Sequence, residues 1–324
     1  MRFAILFLFS FTFLFSADKT PAEKLLEERK YFDAKNLCEI NIKSNPKDAD
    51  SYAILSQIYT KSKFKNFDKA EELILKAIEL NNKNSNYFLI HAFVLGAKVA
   101  NDGVWTIISK GSDIKKSIFR AYELAPNDVK TNTSIFFFYL MTPTLIGGDE
   151  DEALKIANNF KKIDLYSAHI LLGSFYSKKE NDKSAIENYE IAISLNPEKP
   201  DAYRSLGWYY QRKKNFTEAK KQFLKLLKTE PNNPENYNQL ASTCKELNNF
   251  DEAIKNYNTA LSLEEENSNS IFGLAQTFES SKNYKKSIET FQWFVKLEKS
   301  GSRVDKAKKK ISELNKLKVE NGSN

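Results

Sequence analysis

Residues 200–233 read PDAYRSLGWYYQRKKNFTEAKKQFLKLLKTEPNN, and this stretch decides the fold. Tyr203, Leu206, Gly207 and Tyr210 follow one another at spacings of three and four, which places them on one face of a helix. Ala219, Phe223 and Leu226 do the same for a second helix. Pro231 ends it, because a residue without an N–H cannot extend the hydrogen-bond ladder. Gly207 and Ala219 are small where two antiparallel helices need to approach closely. Asn215-x-x-Glu218 has the arrangement of a capping box opening the second helix, and Asn249-x-x-Glu252 and Asp149-x-x-Glu152 repeat it.

The pattern returns with a period of 34 residues: Ala185, Ala219 and Ala253, with Ser287 in the next place. The preceding unit, Tyr166 to Lys199, carries Leu172, Gly173, Tyr176, Tyr189 and Pro197 in register. The following units carry Tyr237, Leu240, Ala241, Cys244 and Tyr257, then Leu274, Ala275, Phe278, Phe291 and Phe294. A period in the mid-thirties marks stacked two-helix units. The motif resembles the tetratricopeptide repeat (TPR), with Tyr203 where Trp usually stands. That resemblance implies an all-α, right-handed superhelical solenoid of antiparallel helix pairs whose first helices line a concave side.

The reading divides the chain into a signal peptide (1–17), a TPR solenoid of about seven to eight units (18–301), a capping helix (302–318) and a flexible tail (319–324). The register is clearest over 166–301. Ala49 to Asn84 is a regular unit, and Thr20-Pro21-x-Glu23 is a helix start. Two units are enlarged, 85–128 and 129–165. The first is expected to hold an insert around Val99 to Ser112, with Trp105 inside. In the second, Pro143 stops a helix and Gly147-Gly148 makes a turn. The Pro-x-x-x-Gly-Gly-Asp segment resembles one found in a bacterial subgroup of exported TPR proteins. In the terminal helix Val304, Ala307, Ile311 and Leu314 recur on one face, with Lys, Ser and Glu opposite.

Arg2 followed by the apolar run Phe3 to Phe15 and the small residues Ser16 and Ala17 has the layout of a secretory signal peptide. The run is short for a membrane span, so no stable membrane insertion is expected after cleavage, and the chain is expected to be periplasmic or secreted. An uncleaved anchor is the alternative. The net charge of +7 comes from 49 basic and 42 acidic residues, a mixed, solvated surface. The Lys306, Lys308, Lys309, Lys310 cluster lacks interleaved aromatics, so no nucleic-acid partner is expected. Cys38 and Cys244 occupy apolar positions of different units and read as two buried thiols. His91 and His169 lie far apart, with no ligand spacing for zinc. No nucleophile elbow, phosphate loop or dinucleotide fingerprint occurs, so neither catalytic residues nor cofactors are expected.

What remains is a surface. First-helix residues between the packing positions are expected to face the concave side: Arg204, Trp208, Gln211 and Arg212, then Asn238, Ser242 and Lys245, then Phe272, Gln276 and Glu279. Trp208 and Phe272 read either as binding anchors or as packing against the neighbouring unit. The basic clamp by which some cytosolic TPR proteins hold a chaperone C-terminus does not occur at the matching places. The reading is an exported, non-enzymatic scaffold for a protein or peptide. Alternatives are a cell-envelope assembly factor touching membrane or wall, and an accessory ligand-binding component of a transport system.

Overall fold

The computed structural model describes residues 19–321, without the side chains of residues 104, 105, 107, 108 and 317–321. The expected signal peptide and the side chain of Trp105 therefore lie outside the described residues. All regular structure among the described residues is helical. The chain forms two compact units, one running to Ile156 and one from Ala157. The first holds α1 (Pro21–Glu27), α2 (Tyr31–Ser44), α3 (Ala49–Ile58), α4 (Phe67–Leu80), α5 (Ser85–Asp102), α6 (Val104–Leu124), α7 (Val129–Met141) and the start of α8 (Glu150–Phe160). The second holds α9 (Leu165–Lys178), α10 (Asp182–Leu195), α11 (Pro200–Arg212), α12 (Phe216–Thr229), α13 (Pro234–Glu246), α14 (Phe250–Leu263), α15 (Ser268–Ser280), α16 (Tyr284–Glu298) and α17 (Ser302–Asn321). Consecutive helices pack against each other from α9 through α17.

The small residues do what helix pairing requires. A Cβ added to Gly207 would lie 2.6 Å from the Phe223 ring, and one on Gly173 2.6 Å from the Tyr189 ring. Each glycine thus seats an aromatic of the partner helix directly on backbone. Ala185, Ala219 and Ala253 are fully buried at the matching contacts, and Ser287 donates to the Ala275 carbonyl at 2.9 Å.

In the second unit each turn inside a pair is built the same way. Glu180, Lys214, Asn248 and Lys282 stand 34 residues apart, all with φ near +60°. The asparagine after each sends its N–H back to the preceding helix: Asn181 to Tyr176, Asn215 to Tyr210, Asn249 to Cys244 and Asn283 to Phe278, at 2.8–3.0 Å. This is the Schellman closure, with a left-handed residue satisfying the last carbonyls of a helix. It also alters the expected caps. Asn215 accepts from the Glu218 N–H at 3.3 Å, but its own N–H is spent on Tyr210, so the box is only half made. At Asn249 no side-chain cap forms, and Glu252 pairs with Lys220 at 2.6 Å instead. The full box occurs at Thr20, which accepts from Glu23 at 3.2 Å while Glu23 accepts from the Thr20 N–H at 2.7 Å.

The enlarged unit 85–128 departs from the expected insert. Its extra length lies in the helices themselves, 18 residues in α5 and 21 in α6, and Gly111 falls within α6. They meet at Gly103, whose φ of 93° turns the chain in a single residue. The 129–165 unit follows the reading: α7 ends before Pro143 and Asp149 caps α8, accepting from the N–H groups of Asp151 and Glu152 at 3.0 and 3.1 Å. At the C-terminus α17 buries Val304, Ala307 and Leu314 against Phe272, Phe291 and Phe294. It continues through Asn321, so the tail expected from residue 319 is helical for its first three residues.

Candidate protein-binding face

In the second unit the first helices of the pairs are α9, α11, α13 and α15, and side chains stitch the first three together. Arg212 of α11 donates to the Ser177 hydroxyl of α9. Gln211 donates to the Thr243 hydroxyl of α13 at 2.7 Å. Both were expected on this face, and both join neighbouring pairs. Trp208 is half-buried, its ring against the core formed by Tyr203, Phe223 and Leu240. Asn238 donates to Glu235 at 3.1 Å, Lys245 pairs with Glu246 at 3.2 Å, and Gln276 is half-buried on α15.

Two expected positions are different. Arg204 is 6% exposed and lies inside a polar node. Its guanidinium holds Asp201 at 2.7 Å and Glu230 at 2.6 Å, and Glu230 also accepts from Asn233 at 3.2 Å and Asn236 at 3.0 Å. The node ties the end of α12 to the start of α13, so Arg204 secures a turn. Phe272 is also buried: it meets Phe294 and Phe291 edge-on, with centroids 5.0 and 5.5 Å apart, and Arg303 of α17 stacks over it at 4.6 Å. The cap covers this ring, which settles it as packing. Ser242 is half-buried on α13, and Ser174, two units earlier, meets the Tyr189 hydroxyl at 3.1 Å.

Reactive groups are scarce. Cys38 and Cys244 are free and buried, and burial pushes their thiols up to about 11 and about 12, so neither is a thiolate at neutral pH. Among the described residues no group of His, Cys, Asp and Glu could hold a metal ion, and no helix is long and apolar enough to cross a membrane. His169 meets Asn188 at 2.8 Å.

His91 of α5 is buried, with Nδ1 2.8 Å from the Ser117 hydroxyl of α6 and Nε2 without a partner. Burial holds its pKa below the ordinary 6.5, against the opposing pull of Glu71 and Asp113. The unfolded chain therefore binds a proton that the folded chain resists. The neutral ring's contribution is complete above about pH 6.5 and is lost as pH falls toward the folded value. Urea midpoints at pH 7.5 and 5.5 are expected to differ more for the native chain than for His91→Gln. An equal difference for both would show that His91 is not the group responsible.

These helix pairs define an all-α solenoid, and the comparisons agree. The tetratricopeptide repeat family matches residues 49–84, and the family of anaphase-promoting complex, cyclosome, subunit 3 matches residues 178–260. The yeast Tom70 crystal structure resembles the chain with a TM-score of 0.63 at 18% identity, over 96% of this chain and 66% of that one. The chain thus spans just under two thirds of Tom70's length. The APC/C hetero-tetramer Cut9–Hcn1 gives 0.48 at 14% identity over 90% and 54% of the two chains, and MamA AMB-1 gives 0.40 at 20% over 47% and 85%. No curated protein matches the sequence. Residues 49–84 thus match the tetratricopeptide repeat family, and the likeness to Tom70 shows the same all-α repeat fold over the chain. Repeats of this family act as scaffolds for protein–protein interaction, generally without catalysis.

Proposed function

We propose that this chain is an exported, non-enzymatic adaptor that binds a protein or peptide along the first-helix face of its second unit. The observation that carries the reading is the Ser177–Arg212 and Gln211–Thr243 stitching. It fixes α9, α11 and α13 as one preformed surface, with the half-exposed edge of Trp208 and the side chains of Asn238 and Lys245 available on it and Gln276 on the adjoining α15. A surface that is ordered before binding loses little freedom when a partner arrives. Export rests on Arg2, the apolar run Phe3 to Phe15 and the small pair Ser16-Ala17.

Partner recovery from the source cell is the test. The triple variant Trp208→Ala, Lys245→Glu, Gln276→Ala is expected to lose the partner while staying folded at the binding temperature, with a lowered melting temperature because the Trp208 ring also packs on the core. Equal recovery would remove the face. Arg204→Ala serves as a folding control, expected to cost about 1–3 kcal/mol of stability because Glu230 loses its charged donor. Export is checked separately by sequencing the N-terminus of the recovered protein. A start at Ala17 or Asp18 supports it, and an intact Met1 on protein that fractionates with the cytosol overturns it.

A further inference from the structure

The turn between α7 and α8 holds up an apolar tip. Leu145 is 97% exposed and Ile146 46% exposed, on a single turn of 3-10 helix spanning Thr144–Ile146. The scaffold beneath them is closely determined. Pro143 fixes the entry, and its carbonyl accepts from the N–H groups of Ile146 at 2.9 Å and Gly148 at 3.2 Å. Gly147 has φ 97° and donates to Thr144 at 3.0 Å, while the Asp149 N–H reaches Tyr139 at 2.9 Å. A Cβ on Gly148 would stand 1.7 Å from the Thr142 carbonyl oxygen, and one on Gly147 would stand 2.6 Å from Lys115 Nζ. The two glycines thus hold a backbone that presents an almost wholly exposed leucine.

Such a side chain has no role in this chain's own packing, and a rigid mount is what an anchor residue requires. The surroundings select the occupant. Asp149, Glu150, Asp151 and Glu152 follow the tip after the two glycines, offset by Lys155, which pairs with Glu152 at 3.1 Å, and by Lys115, whose Nζ lies beside Gly147. A net acidic collar is repelled by an anionic bilayer and complements a cationic rim. We infer that residues 143–152 form a docking prong on which Leu145 enters an apolar socket, rimmed by Lys or Arg, on a partner protein. This contact is independent of the first-helix face.

The test places a photo-crosslinking amino acid at Leu145 of the full chain in its native cell, with Lys225, an exposed residue of α12, as the control position. The adduct protein is then purified and its affinity for the full chain measured. Leu145→Ser is expected to weaken binding by about tenfold or more, the scale of a buried leucine, with no change in melting temperature. Asp151→Lys is expected to weaken it further, and added salt to weaken the native pair. Affinity insensitive to Leu145→Ser, no adduct specific to position 145, an adduct only with a second copy of this chain, or Leu145-dependent sedimentation with phosphatidylglycerol vesicles would each overturn the proposal. The Trp208, Lys245, Gln276 variant is expected to retain this affinity, so failure of either surface is read separately.

Discussion

Replacing Glu180, Lys214 and Lys282 together with glycine is expected to stabilise the second unit by about 1.5–3 kcal/mol, roughly 0.5–1 kcal/mol per turn. Each residue holds φ between 58° and 61°, where a Cβ collides with the following carbonyl and glycine does not. The gain is smaller than the full left-handed penalty because glycine makes the unfolded chain freer. None of the three side chains forms an ion pair, and the turns lie in separate pairs, so the increments should add. Asn248 provides the internal comparison. Asparagine tolerates this backbone, so Asn248→Gly is expected to gain least. Urea unfolding of the triple variant measures the sum. An unchanged or lower midpoint would mean that these turns carry no relievable strain.

The opposite sign is expected at Gly207. Gly207→Val should destabilise by about 1–3 kcal/mol, since even the first added carbon would lie 2.6 Å from the Phe223 ring and 3.0 Å or less from two further ring atoms. The ring is fully buried and has nowhere to retreat. Phe223→Ala should cost about 3–5 kcal/mol by leaving a cavity. The pair should not add: Gly207→Val in the Phe223→Ala background fills space it would otherwise invade. Thermal melts of the two singles and the double close the cycle. Simple additivity would show that Gly207 and Phe223 do not share the contact.

The same contact shows how much was legible in the chain. Gly207, Ala219 and Phe223 announce a close helix pair because size and spacing are local properties. The turn residues were equally periodic, at Glu180, Lys214, Asn248 and Lys282, yet only Asn248 is of a type that suggests a left-handed backbone. The asparagine that follows each of them was the available clue. The candidate face was less readable. Position alone placed Arg204 outward, but its environment is set by Glu230, which the fold brings back from 26 residues away. Phe272 is covered by Arg303, which comes from a helix outside the repeat register. The length of unit 85–128 suggested a loop, whereas a single glycine at φ 93° allows two long helices to meet without one.

The helix that covers Phe272 has a consequence for growth of the array. Because α17 presents lysines and serines outward where a further hairpin would need apolar side chains, a repeat cannot stack on that face as the hairpins stack on one another. Duplication of a 34-residue segment can lengthen the stack only internally, at one of the recurring turns, leaving the stopper in place. Truncation before Ser302 would do the reverse. With Phe272, Phe291 and Phe294 uncovered, a terminated stack becomes an adhesive one, and the shortened chain should associate end to end instead of remaining dispersed.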